Sequence, residues 1–164
     1  MRAELRRVSH EPSVPLVLVG ASASARRLDD DIRAAAVAGC VLIEGEVGLD
    51  LEEIALAIHG LSRRTGSCVV IDCGGSEPSQ VERELFGDRP CRDAADLETI
   101  GAECALARAH RGTLYLGDVS ELSASVQARL ARVARDGEVR VDGSDPRALD
   151  VSMVAAPMPW KPRA

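Results

Sequence analysis

The sequence predicts an α/β domain with a mostly parallel sheet, and three observations carry that expectation. Short apolar, β-branched runs alternate with segments of helical spacing, the arrangement that builds βαβ units with right-handed crossovers. The hydrophobic fraction of 46% comes almost wholly from Ala, Val, Leu and Ile, with Phe86, Tyr115 and Trp160 the only aromatics, as suits aliphatic strands under alanine-rich helices. Between an apolar strand-like run and a helix-like run lies Gly45-Glu46-Val47-Gly48-Leu49-Asp50-Leu51-Glu52, the placement of a phosphate-binding loop.

Taken in order, residues 1–13 read as a polar tail, 14–156 as the domain and 157–164 as a second tail. Val14 to Val19 is an apolar run broken by Pro15, and Ala25 to Ala38 is a helix whose Asp29, Asp30 and Asp31 form a solvated face. Cys40 to Glu44 reads as a buried strand running into the glycine loop. Leu51 to Arg64 has helical spacing through Ile54, Ala55, Ile58 and Leu61, with Thr65-Gly66 as its stop. Cys68 to Cys73 is a second strand, and Pro78 to Phe86 a helix with proline favourably in its first turn. Gly87 to Ile100 is polar and aperiodic and reads as an exposed insertion. A helix over Glu103 to His110, a buried strand over Thr113 to Val119, an amphipathic helix over Ser123 to Arg135 and a strand over Ala148 to Ala156 complete the alternation, with a hairpin arm around Asp142-Gly143.

The chain has 164 residues, enough for one domain burying about two-thirds of its unfolded surface. A net charge of −6 argues against direct binding to DNA, RNA or an anionic membrane surface. No run reaches the ~20 apolar residues that span a bilayer and no signal-peptide progression opens the chain, so the expected compartment is the cytoplasm. Five cysteines (40, 68, 73, 91 and 104) include no C-x-x-C pair, which predicts reduced, mostly buried thiols and no metal site.

A working phosphate loop reads G-x-x-x-x-G-K-[ST], its glycines letting the backbone close on phosphate and its lysine reaching the β and γ oxygens. Here Asp50 stands at the second glycine and Leu51 at the lysine. Losing one charge-assisted hydrogen bond costs roughly 1.5–3 kcal/mol, and a carboxylate about 5 Å from phosphate repels it by roughly 3 kcal/mol at an effective dielectric near 20. A micromolar site would fall roughly three to four decades. Gly45 and Gly48 therefore read as a tight strand-to-helix turn, and Glu46 and Glu52 oppose any anion at the helix N-terminus. His59 and His110 read as helix-surface residues packed near the sheet, and no His and acid accompany Ser22 or Ser24 as a nucleophile would need.

Several medium-length motifs then occur in one order. Val41-Leu42-Ile43-Glu44-Gly45-Glu46-Val47-Gly48 is similar to V-L-I-T-G-E-S-G, Ala57 to Ser62 to A-I-H-x-L-S, and Glu84-Leu85-Phe86-Gly87 repeats E-L-F-G. Ala105 to Leu116 is similar to A-L-x-x-A-x-G-G-T-L-F-L, Leu122 to Val133 to L-x-x-x-x-Q-x-x-L-L-R-V, and Asp150 to Ala156 to D-V-R-I-I-A-A. On these motifs the chain resembles the AAA+ core of NtrC-like activators, which remodel sigma-54 RNA polymerase.

The resemblance implies a P-loop NTPase-type three-layer sandwich, with the fifth core strand, helical lid and arginine fingers falling beyond the matched residues. It also locates departures. The family's third strand ends in Asp-Glu, for magnesium and for the attacking water, where this chain has Gly117 and Asp118; its sensor asparagine falls at Met158. The nucleotide-site positions so implied are Gly45, Gly48, Asp50, Leu51, Glu52 and Asp118, expected to be non-functional, with no catalytic residue and ATP and magnesium only at low affinity. The G-A-F-T-G-A loop that contacts sigma-54 is replaced by a stretch whose Asp88, Arg89, Arg92, Asp93 and Asp96 are candidates for contacting a different surface. The function expected is a catalytically inactive regulatory module binding a protein, either a sigma-54-type activator or another regulator; the rival is a weak ATP-binding regulator with a backbone-only cradle and Asp118. In the family the fifth strand borders the first, so Leu16 to Val19 is expected to fill part of that edge.

Overall fold

In the computed structural model the described residues are 22–88 and 96–158. Four parallel strands form the main sheet: β1 (Cys40–Leu42), β2 (Cys68–Asp72), β4 (Thr113–Gly117) and β7 (Ser152–Ala155), in the order β1-β7-β4-β2. Helices α1 (Ala23–Ala35) and α2 (Leu51–Leu61) cover one face; α3 (Pro78–Phe86), α4 (Ala105–Arg108) and α5 (Ala124–Asp136) cover the other. This is the three-layer α/β sandwich expected.

The period of two along each strand divides the side chains between the two cores. Leu114, Leu116 and Met153 pack with Val81, Leu85, Phe86, Val126, Leu130 and Val133 on the α3–α5 side, whereas Tyr115 and Val154 pack with Ile32, Leu51, Ala55 and Ile58 beneath α1 and α2. Helix starts follow local chemistry: Ser22 and Ser123 hydroxyls accept from the Ala25 and Val126 amides, and Pro78 sits in the first turn of α3.

Three expectations need correction. The first strand is not buried: Cys40 and Leu42 are exposed, because β1 is an edge, bonded among the described residues to β7 alone. The stretch from Gly87 is not an exposed insertion throughout, since Glu98, Thr99 and Ile100 are buried and β3 (Thr99–Ile100) pairs in parallel with β5 (Glu138–Val141). With β6 (Pro146–Ala148), antiparallel to β5, these make a second, three-stranded sheet, of which the sequence indicated only the β5–β6 hairpin. The helix over 103–110 shrinks to the single turn of α4, α1 both begins and ends earlier than expected, and α2 and β7 are shorter than expected. Val14 to Val19, with Arg89, Arg92 and Asp93, lies outside the described residues.

Candidate functional site

All four parallel strands point their C-terminal ends toward one rim, and there a cleft of about 450 Å³ opens, lined by Gly48 to Glu52, Val70 to Asp72, Tyr115, Gly117, Asp118, Ala156 and Pro157. Open parallel sheets place their ligand crevices at this rim. The glycine loop enters it as expected: Gly48 has φ +100, left-handed backbone that glycine adopts without steric cost. Gly45 carries a packing demand instead, since a Cβ there would stand 2.8 Å from Leu51 Cδ2.

The two altered loop residues each take an internal partner. Asp50 is the N-cap of α2, and its carboxylate accepts the Glu53 amide at 3.2 Å, so one of the free N–H groups that would meet a phosphate is already bonded to an anion. Leu51, 7% exposed, turns down among Ala55, Ile58, Tyr115 and Val154; an apolar side chain at the first helical position gains more from the core than from the loop. Glu52 is half-buried on the same turn.

Opposite them, Asp72 ends β2 and accepts the Gly74 and Gly75 amides, both at 3.1 Å, through one oxygen. Asp118 follows the β4 residue registered with Asp72 and has left-handed backbone, φ 51 and ψ 43. It stands at the N-cap of a 3-10 turn (Val119–Glu121) without a side-chain cap bond. Between these acids lies Tyr115, whose hydroxyl is pushed up to about 12 by burial first, then by Glu52, Asp118, Asp50 and Asp72. The chemistry of the rim is therefore anionic, with a protonated phenol in its wall. Tyr115 escaped the sequence reading because a strand tyrosine reads as core.

Other singled-out residues lie elsewhere. Met158 is exposed and donates its amide to Ser120 Oγ at 3.3 Å. His59 Nδ1 lies 2.8 Å from Thr113 Oγ1, and burial, then Arg64, lowers its pKa; His110 is exposed. Asp88 and Asp96 are exposed on either side of the altered loop, whose base is closed by the Gly101 amide donating to the Phe86 carbonyl at 2.8 Å and by Gly87 against Gly101.

Beneath that base sits a group the sequence did not disclose. Arg129 of α5 donates to Glu98 and to Glu82 and lies over the Phe86 ring, 3.9 Å from its centroid; Arg132 also reaches Glu98, at 2.9 Å. The available signal was that Arg129 falls on the apolar stripe formed by Val126, Leu130 and Val133 at helical spacing.

Family comparison decides what this scaffold is, because the model of the sigma-54 interaction domain matches residues 18–159. The chain belongs to the sigma-54 interaction domain family. Family relatives include the phenol regulator MopR of Acinetobacter guillouiae, 37% identical over 142 residues, covering 84% of this chain and 25% of MopR. The anaerobic nitric oxide reductase transcription regulator NorR of Aeromonas salmonicida is 34% identical over 163 residues, covering 93% of this chain and 32% of NorR. The chain thus spans about a quarter to a third of these relatives. The family's fold is matched too: NtrX from Brucella abortus, solved with ATP, superimposes with a TM-score of 0.69 at 30% identity over 87% of this chain and 30% of that one. The ADP complex of the same protein gives a TM-score of 0.67 at 30% identity, over 87% of this chain and 31% of that one.

Proposed function

We propose that this sigma-54 activator-type domain is a pseudo-ATPase that acts in transcription regulation by binding another protein. The observation carrying the reading is the Asp50 carboxylate on the Glu53 amide, at 3.2 Å. A nucleotide phosphate would have to displace an anion already bonded there and settle among Glu52, Asp72 and Asp118, with Leu51 offering no charge. Gly117 in place of a carboxylate leaves Asp118 alone at the strand end, one carbon shorter than a glutamate base and turned by its left-handed backbone.

What the scaffold retains supports a binding role. The base of the altered loop is closed by backbone bonds and by the Arg129–Glu98 pair, so that its exposed Asp88 and Asp96 stand on a fixed platform. The partner is either a full-length activator, met through the surface that joins subunits in the family, or another regulator meeting the loop. Among the described residues no helix is long and apolar enough to cross a membrane.

Calorimetric titration with ATP and magnesium, carried to millimolar ligand, tests the reading. The expected result is no saturable heat; binding tighter than about 100 μM, near −5.5 kcal/mol, would overturn it in favour of a nucleotide-switched regulator.

A further inference from the structure

β1 is the open edge of the main sheet, and the surface beside it is apolar. Its bonds to β7 include the Met153 amide donating to the Gly39 carbonyl at 2.9 Å and the Ile43 amide donating to the Ala155 carbonyl at 2.8 Å. Backbone groups alternate sides along a strand, so the amides and carbonyls of Cys40 and Leu42 face away from β7. Next to them a groove of about 410 Å³ lies between β1 and α5, lined by Cys40, Leu42, Val119, Leu130, Ala131 and Ala134 among others, and Leu42 is 61% exposed. Such an edge is a template for one more strand.

The sheet's connectivity selects which strand. From β1 to β2 the chain crosses by α2 on one face; from β2 to β4 and from β4 to β7 it returns by α3, α4 and α5 on the other. These crossovers share one hand, as the right-handed rule for βαβ units requires. Helix α1 lies on the α2 face and passes into β1 through only four residues, 36–39. A parallel strand entering α1 keeps the same hand only if it lies on the open side of β1. The residues leading into α1 include Leu16-Val17-Leu18-Val19, with no charged residue between Pro12 and Ala25. A strand apolar at every position needs cover on both faces; the groove offers it on one, and the half-buried Leu28 and Ala35 of α1 on the other.

We propose that Leu16 to Val19 lies along the free side of β1 as a fifth parallel strand of the main sheet, completing a βαβ unit with α1 and β1. Gly20 to Ser22 join it to α1, an ordinary length for a strand-to-helix loop. So short a tether holds the segment at millimolar effective concentration, ahead of a second copy or a partner's strand. Pro15 at its start has no N–H to offer, which blunts the new edge. This strand is independent of whether the rim cleft binds nucleotide.

Residue-resolved amide exchange of the full chain, read by NMR, tests it against Val17→Asp/Leu18→Asp. Neighbouring strand residues point to opposite faces, so the double variant sets a carboxylate against each apolar cover and expels the strand. In the parent the Cys40 and Leu42 amides should exchange at least about tenfold more slowly than in the variant, while Val41 and Ile43, bonded to β7, stay protected in both. Parent spectra should also show parallel cross-strand proton contacts between 16–19 and 40–42. Free-peptide exchange at Cys40 and Leu42 in the parent, protection that survives in the variant, or antiparallel contacts would overturn the proposal. Protection that rises with protein concentration together with a dimer in light scattering would overturn it in favour of a second copy. If the variant loses Val41 and Ile43 as well, the parent's cross-strand contacts decide, and their absence overturns it.

Discussion

Arg129 gives two of its nitrogens to a single oxygen of Glu98: Nε at 2.9 Å and Nη2 at 2.6 Å both meet Oε1, and the two side chains are 1% and 2% exposed. The pair ties α5 to the chain entering β3, and through Glu82 and Phe86 to α3, so that the three elements under the altered loop share one charged centre. Such a pair is held in place by the penalty for breaking it more than by its net gain.

Glu98→Ala should therefore destabilise the domain by about 3–5 kcal/mol, since it strands most of a buried guanidinium. Urea unfolding followed by circular dichroism would measure it, and Glu98→Ala together with Arg129→Met should recover a large part of the loss. Asp29→Ala, which breaks the exposed helical pair with Arg33, should leave the midpoint where it was.

Asp50→Ala should cost about 1 kcal/mol, the ordinary loss of an N-cap, and Asp50→Ser less than half of that. If the cap is also what denies phosphate its place, Asp50→Gly with Leu51→Lys should gain measurable heat on titration with magnesium ATP where the parent has none. A double variant that stays folded and silent would mean that the remaining acids of the rim, not the loop, exclude nucleotide.

Burial pushes the Cys68 thiol up to about 11 and the Cys73 thiol up to about 12, with Glu52 adding to the first and Asp72 and Asp118 to the second. Raised thiol values mean that the unfolded chain releases these protons first. Stability should hold below about pH 9 and fall from there through pH 11 and 12, at up to about 1.4 kcal/mol per pH unit for each group. Denaturation midpoints between pH 7 and 11 would show the decline, and Cys68→Ala/Cys73→Ala should flatten it. Near pH 8 a thiol reagent should label exposed Cys40 well before buried Cys68, Cys73 and Cys104.

Gly112 and Arg111 should respond in opposite directions. A Cβ on Gly112 would overlap the Ser67 carbonyl oxygen, so Gly112→Ala must push two backbone segments apart and should cost several kcal/mol, on the scale of overpacking or more. Arg111 holds φ +60, costing about 1–2 kcal/mol for a residue with a Cβ. Arg111→Gly relieves this while adding about 0.5–1 kcal/mol of unfolded-state entropy. The net should lie between neutral and about 1.5 kcal/mol of stabilisation, read as a small rise in melting temperature.

Much of this was legible in order. The strand–loop–helix at 40–61, the helix at 78–86 and the helix from Ser123 each show their type because the signal is local: an apolar run, a proline at a start, a capping serine. The loop's altered residues were legible too, since a lysine missing from position 51 is missing in any conformation. What they do instead was not, because Leu51 could lie on the surface or beneath it until α1 and the sheet closed over it. Residues 98–100 misled for the opposite reason. Glu98 and Thr99 look solvent-facing in sequence and are buried because Arg129, thirty-one positions away, neutralises the one while β5 pairs with the other.

The sequence by itself determined that this chain builds the sandwich and that its phosphate loop lacks lysine and carries acids, since periodicity and residue identity are properties of neighbours along the chain. Only the tertiary structure decided that Asp50, Glu52, Asp72 and Asp118 share one rim with Tyr115, and that Arg129 is a core residue. Burial and electrostatic fields depend on distances across strands far apart in sequence, and those exist only after the chain has closed.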